Sequence, residues 1–512
     1  MIKTEGLYLG MENGRLDAFK AYLRDIEYLS SAIAALYWDS RVSIPRKGVA
    51  YRGEVLGYLS AELYRKQTSD TMKAFIDEFS ALTDADDVTR AIADRAKREY
   101  DRSMKIPEER YRAYVVAVSA AEAAWEAAKD TSDYAMFKPH LKTLIGFNRE
   151  FIGYWGGGGQ GYDRLLDYYE PGVTTAALDK VFSEVRDAIV ALLDRIKSKP
   201  KPDDSFLKNT FTADAQARFS RHVLERMGYD FEAGRLDVSV HPFTITMGPS
   251  DVRITTHYTE NELRSALYSS IHEGGHAIYE QNIDPALMGT MLMTGASMGI
   301  HESQSRLYEN LIGRSRAFWE YFYTEAQKAF PQLDGVPLES FYKAVNAVSP
   351  SLIRIEADEL TYSLHIIIRY EMEKAIFDGG ADVDELPALW NQKYKEYLGV
   401  EPKNDGEGIL QDTHWSGGNF GYFPSYALGN LYGAQMLHTM KQDVPDMERR
   451  IAEGDLMCVN AWFKEHVHRH GAVYLPAELI QKVTGEPLAA RYFIDYLNAK
   501  YMDVYGLIVK KR

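Results

Sequence analysis

Apolar residues return at three- and four-residue spacing through most of this chain, a period that suits the α-helix and little else. The segment after Thr175 shows it best. Leu178, Val181, Phe182, Val185, Ile189, Leu192, Leu193 and Ile196 share one face, with charged residues between them. Lys199-Pro200-Lys201-Pro202 ends that helix, because a proline ring removes the N–H that the next turn needs. Alanine-rich text of the same period predicts helices over about 17–40, 48–80, 83–103 and 108–131. With 46% hydrophobic and 12% aromatic residues in a chain of 512, there is ample material for a large buried core.

Two stretches break the period. Gly156-Gly157-Gly158-Gly159-Gln160-Gly161 lacks the Lys-Ser/Thr of a phosphate loop and reads as a flexible turn. From about 235 to 257 apolar and polar residues alternate: Val238 and Val240, Phe243 and Ile245, Val252 and Ile254. Gly248-Pro249-Ser250-Asp251 then reads as the turn of an antiparallel pair, so a small antiparallel sheet is expected just before the next helix.

Charge and cysteine count narrow the function. A net charge of −15, from 74 acidic and 59 basic residues, argues against nucleic acid as a partner, since phosphates must be neutralised by an excess of cations. One cysteine, Cys458, allows no internal disulfide and no multi-cysteine zinc site. The N-terminal text shows no basic start followed by an apolar run, and no stretch of about 18 uncharged apolar residues occurs, so neither a signal peptide nor a membrane span is expected. A cytoplasmic protein is the expectation.

The chemistry concentrates in the helix after the sheet. Thr259-Glu260-Asn261-Glu262 reads as a capping box that starts it, and Leu263, Leu267 and Ile271 carry it into His272-Glu273-Gly274-Gly275-His276. Residues four apart share a helix face, so both imidazoles can meet one ion. Glu273 projects about 100° around the axis from His272, beside the ion, where a general base for water belongs. Two core-facing histidines hydrogen-bonded to neighbours are the plainer alternative. Gly274 and Gly275 each cost a helix about 1 kcal/mol relative to alanine, so something such as a strand or the substrate is expected close against that backbone.

A catalytic zinc keeps three protein ligands and one open position. Glu280 is poorly placed as the third, about 12 Å along the axis from His272. Glu302, in His301-Glu302-Ser303-Gln304, closes the site better from a second helix, with Glu309 in reserve; taken alone, Glu302 reads as an ordinary solvated glutamate.

Six blocks in order give the chain a resemblance to the carboxypeptidase Taq family of metallocarboxypeptidases. They are His241-Pro242-Phe243, Asp251-Val252-Arg253-Ile254-Thr255, His272-Glu273-Gly274-Gly275-His276, His301-Glu302-Ser303-Gln304, Ile353-Arg354-Ile355-Glu356-Ala357-Asp358 and Gly408-Ile409-Leu410-Gln411-Asp412-Thr413-His414-Trp415. Trp38-Asp39 with Pro45, and Tyr169-Glu170-Pro171-Gly172, are similar as well. The resemblance implies a mainly α fold with a deep groove, and a homodimer that trims single C-terminal residues with broad side-chain tolerance. It further implies zinc or cobalt held by His272, His276 and Glu302, with Glu273 as general base. Residues 1–512 are then one peptidase domain of two helical lobes around a cleft, with the metal core at about 235–430.

A carboxypeptidase must grip a free carboxylate, and a guanidinium does so bidentately. Arg354 is the chosen clamp, with an ion pair to Glu356 or Asp358 as its plainer role; Arg253 is a weaker choice that could serve the sheet instead. Gln411 and His414 are expected at the groove end, where a structural role is also open. For the oxyanion, Tyr422 is preferred and Tyr426 second, both in the glycine-rich run Gly417–Tyr426 and both open to plain packing roles. A zinc endo-oligopeptidase on the same metal site, or a metal-free helical peptide-binding scaffold, are the rival readings.

Overall fold

The structure, a computed structural model, describes residues 2–157 and 161–507. Twenty α-helices and one three-stranded sheet occur among the described residues, the mainly α architecture expected from the periodicity. The clearest stripe forms the helix Thr175–Ile196, which buries all eight of the apolar residues that define the stripe. The stretch expected over 48–80 is two helices, Val49–Gln67 and Asp70–Ser80. Ser69 breaks it, because its hydroxyl accepts from the Met72 N–H and so caps a new helix. Of the turn expected at Gly156–Gly161, residues 158–160 lie outside the described residues. No described helix is long and apolar enough to cross a membrane.

The sheet comprises β1 (Gly234–Val238), β2 (Thr244–Gly248) and β3 (Asp251–Thr256), in the order β1-β3-β2. β2 and β3 are antiparallel across the expected turn, with Gly248 opposite Asp251. β1 instead pairs parallel with β3, from Gly234–Val252 to Val238–Thr256, so the sheet is mixed rather than wholly antiparallel. The link from β1 to β2 contains Pro242, which cannot donate to a ladder, and the chain crosses to the far edge before β3 fills the centre. Val252 and Ile254 of β3 are fully buried toward the helix that follows.

That helix, the metal helix, runs Leu263–Gln281. Thr259 does not cap it. Glu262 is the N-cap, its carboxylate accepting from the Arg264 N–H at 3.0 Å and from the Arg264 guanidinium, a pairing that keeps it from reaching back. A second helix, Met298–Arg306, lies against the metal helix and passes directly into a wider π-type turn, Leu307–Ile312. A third, Pro424–Asp443, covers its other side. Two glycines allow this stacking. A Cβ on Gly275 would sit 2.5 Å from the Gln304 carbonyl oxygen, and one on Gly429 would sit 2.5 Å from Cγ of Glu302. The bare backbone expected at Gly275 is therefore a helix-crossing point.

Candidate metal centre

His272 and His276, one turn apart, hold their rings 5.0 Å apart and nearly perpendicular. Their Nε2 atoms lie 3.6 and 3.4 Å from Oε2 of Glu302, which the second helix brings across. One donor atom from each of the three falls within 4.8 Å of the others. Tetrahedral zinc, with bonds of about 2.0–2.2 Å, requires donors about 3.3–3.6 Å apart. Both imidazole–carboxylate separations agree with that, and two imidazoles with one carboxylate is a catalytic donor set, so the residues fit a divalent metal.

The far sides of the ligands are held in turn. With Nε2 facing the donor cluster, His272 offers its Nδ1 proton to Glu309 Oε2 at 2.9 Å. His276 Nδ1 meets His301 Nδ1 at 2.6 Å, and His301 Nε2 donates to Glu280 Oε1 at 2.8 Å. Arg306 Nε donates to Glu302 Oε1 at 2.7 Å, while Oε2, which also accepts from Ser305 Oγ at 3.1 Å, faces the two imidazoles. Glu280 and Glu309, considered as ligands, thus support histidines instead. Such partners fix imidazole tautomer and orientation. Electrostatics agree with ligand duty. Burial pushes His276 down to about 3, so it is neutral. Burial alone would raise Glu302, but Arg306 and the two histidines hold its carboxyl well below the usual range.

Glu273 sits beside this cluster on the wall of a cavity of about 840 Å³. Its Oε2 accepts from Thr244 Oγ1 of β2 at 2.5 Å, and burial raises its carboxyl above the ordinary value. Tyr422 and Tyr426 line the same cavity, as do Pro242 and Phe243. Burial lifts the Tyr422 phenol to about 12, so it stays protonated and can donate.

The remaining expected residues are not among those that line this cavity. Arg354 pairs with neither Glu356 nor Asp358; its Nε and an outer nitrogen contact Asp412 Oδ1 at 2.9 and 2.8 Å, and a second outer nitrogen donates to Tyr362 at 3.1 Å. Its guanidinium carbon lies 5.1 Å from the centre of the Tyr426 ring. Gln411 accepts from the Arg354 N–H and from Arg369, and donates to the Leu352 carbonyl, within the chain's own framework. His414 Nε2 meets the Tyr426 hydroxyl at 3.1 Å. Arg253 is bound to Asp251 through two contacts of 2.7 Å and stacks 4.7 Å from Trp38, serving the sheet.

Sequence reasoning passed over Thr244, Arg306 and Glu170. Glu170 is buried and accepts from Ser297 Oγ at 2.8 Å and Gly299 N–H at 2.9 Å, tying down the start of the Glu302 helix. Its place in the Tyr169–Gly172 block was the one available signal. Arg306, four residues from Glu302, could have been read as a helical ion pair.

A helical scaffold that aims such a donor set into an open cavity is that of a metallopeptidase. Comparison with known proteins gives the branch. The family model for carboxypeptidase Taq (M32) metallopeptidases matches residues 18–501. Carboxypeptidase 1 of Bacillus subtilis is 49% identical over 488 residues, covering 95% of this chain and 97% of that protein. Thermostable carboxypeptidase 1 of Thermus thermophilus is 41% identical over 95% of this chain and 98% of its own. The crystal structure of the M32 carboxypeptidase from Deinococcus radiodurans superposes with a TM-score of 0.94 at 35% identity, over 96% of this chain and 100% of that one. The chain belongs to the carboxypeptidase Taq (M32) family of metallopeptidases, as the six blocks implied, and is a metallocarboxypeptidase.

Proposed function

We propose that this enzyme removes single residues from peptide C-termini, with broad side-chain tolerance, using zinc at His272, His276 and Glu302 and Glu273 as general base. The observation that carries the reading is the approach of both Nε2 atoms to one Glu302 oxygen, with the Thr244-held Glu273 alongside. A divalent ion held by His272, His276 and Glu302 would supply Lewis acidity toward the scissile carbonyl and make the attacking water more acidic. Glu273 takes the proton of the attacking water on Oε1, since Oε2 is engaged by Thr244, and returns a proton to the departing amine. Tyr422 donates to the developing oxyanion, with Tyr426 next in reach.

Arg354 is the clamp for the terminal carboxylate. Three of its five N–H bonds are spent on Asp412 and Tyr362, which orients the other two. Gln411 sets the Arg354 backbone and His414 sets Tyr426, so both act on the groove end through neighbours. Cobalt is the alternative metal. One peptidase domain, a homodimer and a cytoplasmic setting follow from the resemblance, and sedimentation of the purified protein tests the dimer.

Mass spectrometry of a mixed peptide pool, with and without chelator, tests the activity. Stepwise loss of C-terminal residues that stops with chelator or with C-terminal amidation supports the reading. Cleavage of amidated peptides at internal bonds would replace it with an endopeptidase.

A further inference from the structure

The catalytic cavity carries one lysine or arginine among its described lining residues, and the family resemblance assigns that residue no role. Arg95, on the helix Asp87–Met104, reaches the cavity wall, as do Glu27, Gln67 and Glu99. It is partly buried, and its Nε is shut off from solvent with no hydrogen-bond partner. No ion pair reaches it among the described residues. Glu99 and Glu280 favour its charge without pairing with it: Glu99 lies 3.9 Å from Arg102, and Glu280 accepts from His301 at 2.8 Å.

An enclosed guanidinium donor without an acceptor is unfavourable, because its hydration is lost and nothing replaces it. Arg354 and Arg369 show the contrast, sharing Asp412 between them. An Nε left without an acceptor on a substrate cavity can be satisfied by an acceptor on the substrate. We propose that Arg95 is an anion subsite of this cavity, binding a carboxylate of the peptide. Two sources share that chemistry: an aspartate or glutamate side chain upstream of the scissile bond, or the terminal carboxylate, in which case Arg95 takes the role given to Arg354 above. A guanidinium donates to either one bidentately. The proposal rests on the peptidase reading above, and its test is chosen to stand apart from it.

The test compares metal-loaded wild type with Arg95→Gln and Arg95→Lys, with metal content checked in each. Substrates are neutral peptides as free acids, and free acids with one upstream glutamate; the C-terminal amides, which the peptidase reading leaves uncleaved, enter only the binding measurement. Steady-state kinetics give KM and kcat separately. Calorimetry on the Glu273→Gln enzyme, with and without Arg95→Gln, gives affinities without turnover. Losing one charge-assisted contact should weaken binding about ten- to a hundredfold, in KM rather than kcat, with lysine recovering part of it. A loss on every free acid, absent on the amides, assigns the terminal carboxylate; a loss confined to the glutamate peptides assigns the side chain. Unchanged KM and affinity across the series overturn the subsite. A wild type that trims no peptide refutes the peptidase reading, and calorimetry still decides Arg95.

Discussion

Gly275→Ala separates the two ligand-bearing helices by a calculable amount. The added methyl would lie 2.5 Å from the Gln304 carbonyl oxygen, 2.8 Å from Cα of Ser305 and 2.9 Å from the Gln304 carbonyl carbon. These are backbone atoms of the Glu302 helix, so no side chain can swing away. Reaching ordinary contact at 3.4 Å opens the crossing by about 0.9 Å. Metal bonds tolerate only about 0.2 Å, so Glu302 is carried out of range of the two imidazoles. Overpacking costs about 1–3 kcal/mol, offset by about 1 kcal/mol of helix propensity, leaving the metal-free protein up to about 2 kcal/mol less stable. Metal affinity should fall about tenfold to a hundredfold, as when ligand support is lost. Gly57→Ala is the control: it lies in the exposed helix Val49–Gln67 with nothing within 4 Å of the added methyl, and should gain up to about 1 kcal/mol. Urea unfolding of the metal-free proteins, and zinc titration against a chromophoric chelator, read both quantities. A Gly275→Ala protein as stable as Gly57→Ala, with wild-type zinc affinity, would refute the crossing-point argument.

Glu273→Gln should keep its metal and lose at least about a hundredfold in rate, the low end for general-base catalysis; near-normal turnover would remove Glu273 from that role. Asp412→Asn leaves Arg354 and Arg369, both almost fully buried, without their shared counter-charge and should cost about 3–5 kcal/mol in urea unfolding; a loss under 1 kcal/mol would contradict it. Glu373 accepts from Tyr162, Trp415 and the Gly421 N–H at the base of the tyrosine loop, and burial lifts its carboxyl to about 7. Its folded value exceeds its unfolded one, so this contribution is complete below about pH 4.5 and lost as pH rises through about 7, on the order of 3 kcal/mol in all. Relative to Glu373→Gln, the metal-free wild type should weaken across that window; parallel stability curves would exclude the effect.

How much of this protein could be read in advance follows the range of the interaction. The helix Thr175–Ile196, the Gly248–Asp251 turn and the shared face of His272 and His276 are set within a few residues, where spacing decides which side chains meet. Glu302 was reachable because it follows 26 residues later in a recognisable block, and a single ion limits where a third donor can stand. Pairings across longer stretches were beyond reach. The parallel docking of β1 on β3, Thr244 on Glu273, Asp412 between Arg354 and Arg369, and the unmatched Arg95 all depend on how finished helices and strands pack. Even the two glycines beside Glu273 showed only that something lay close; the crossing helix that explains Gly275 exists only in three dimensions. Sequence spacing fixes neighbours along one element. Steric fit and the pairing of buried charges between elements are settled only when the whole core closes.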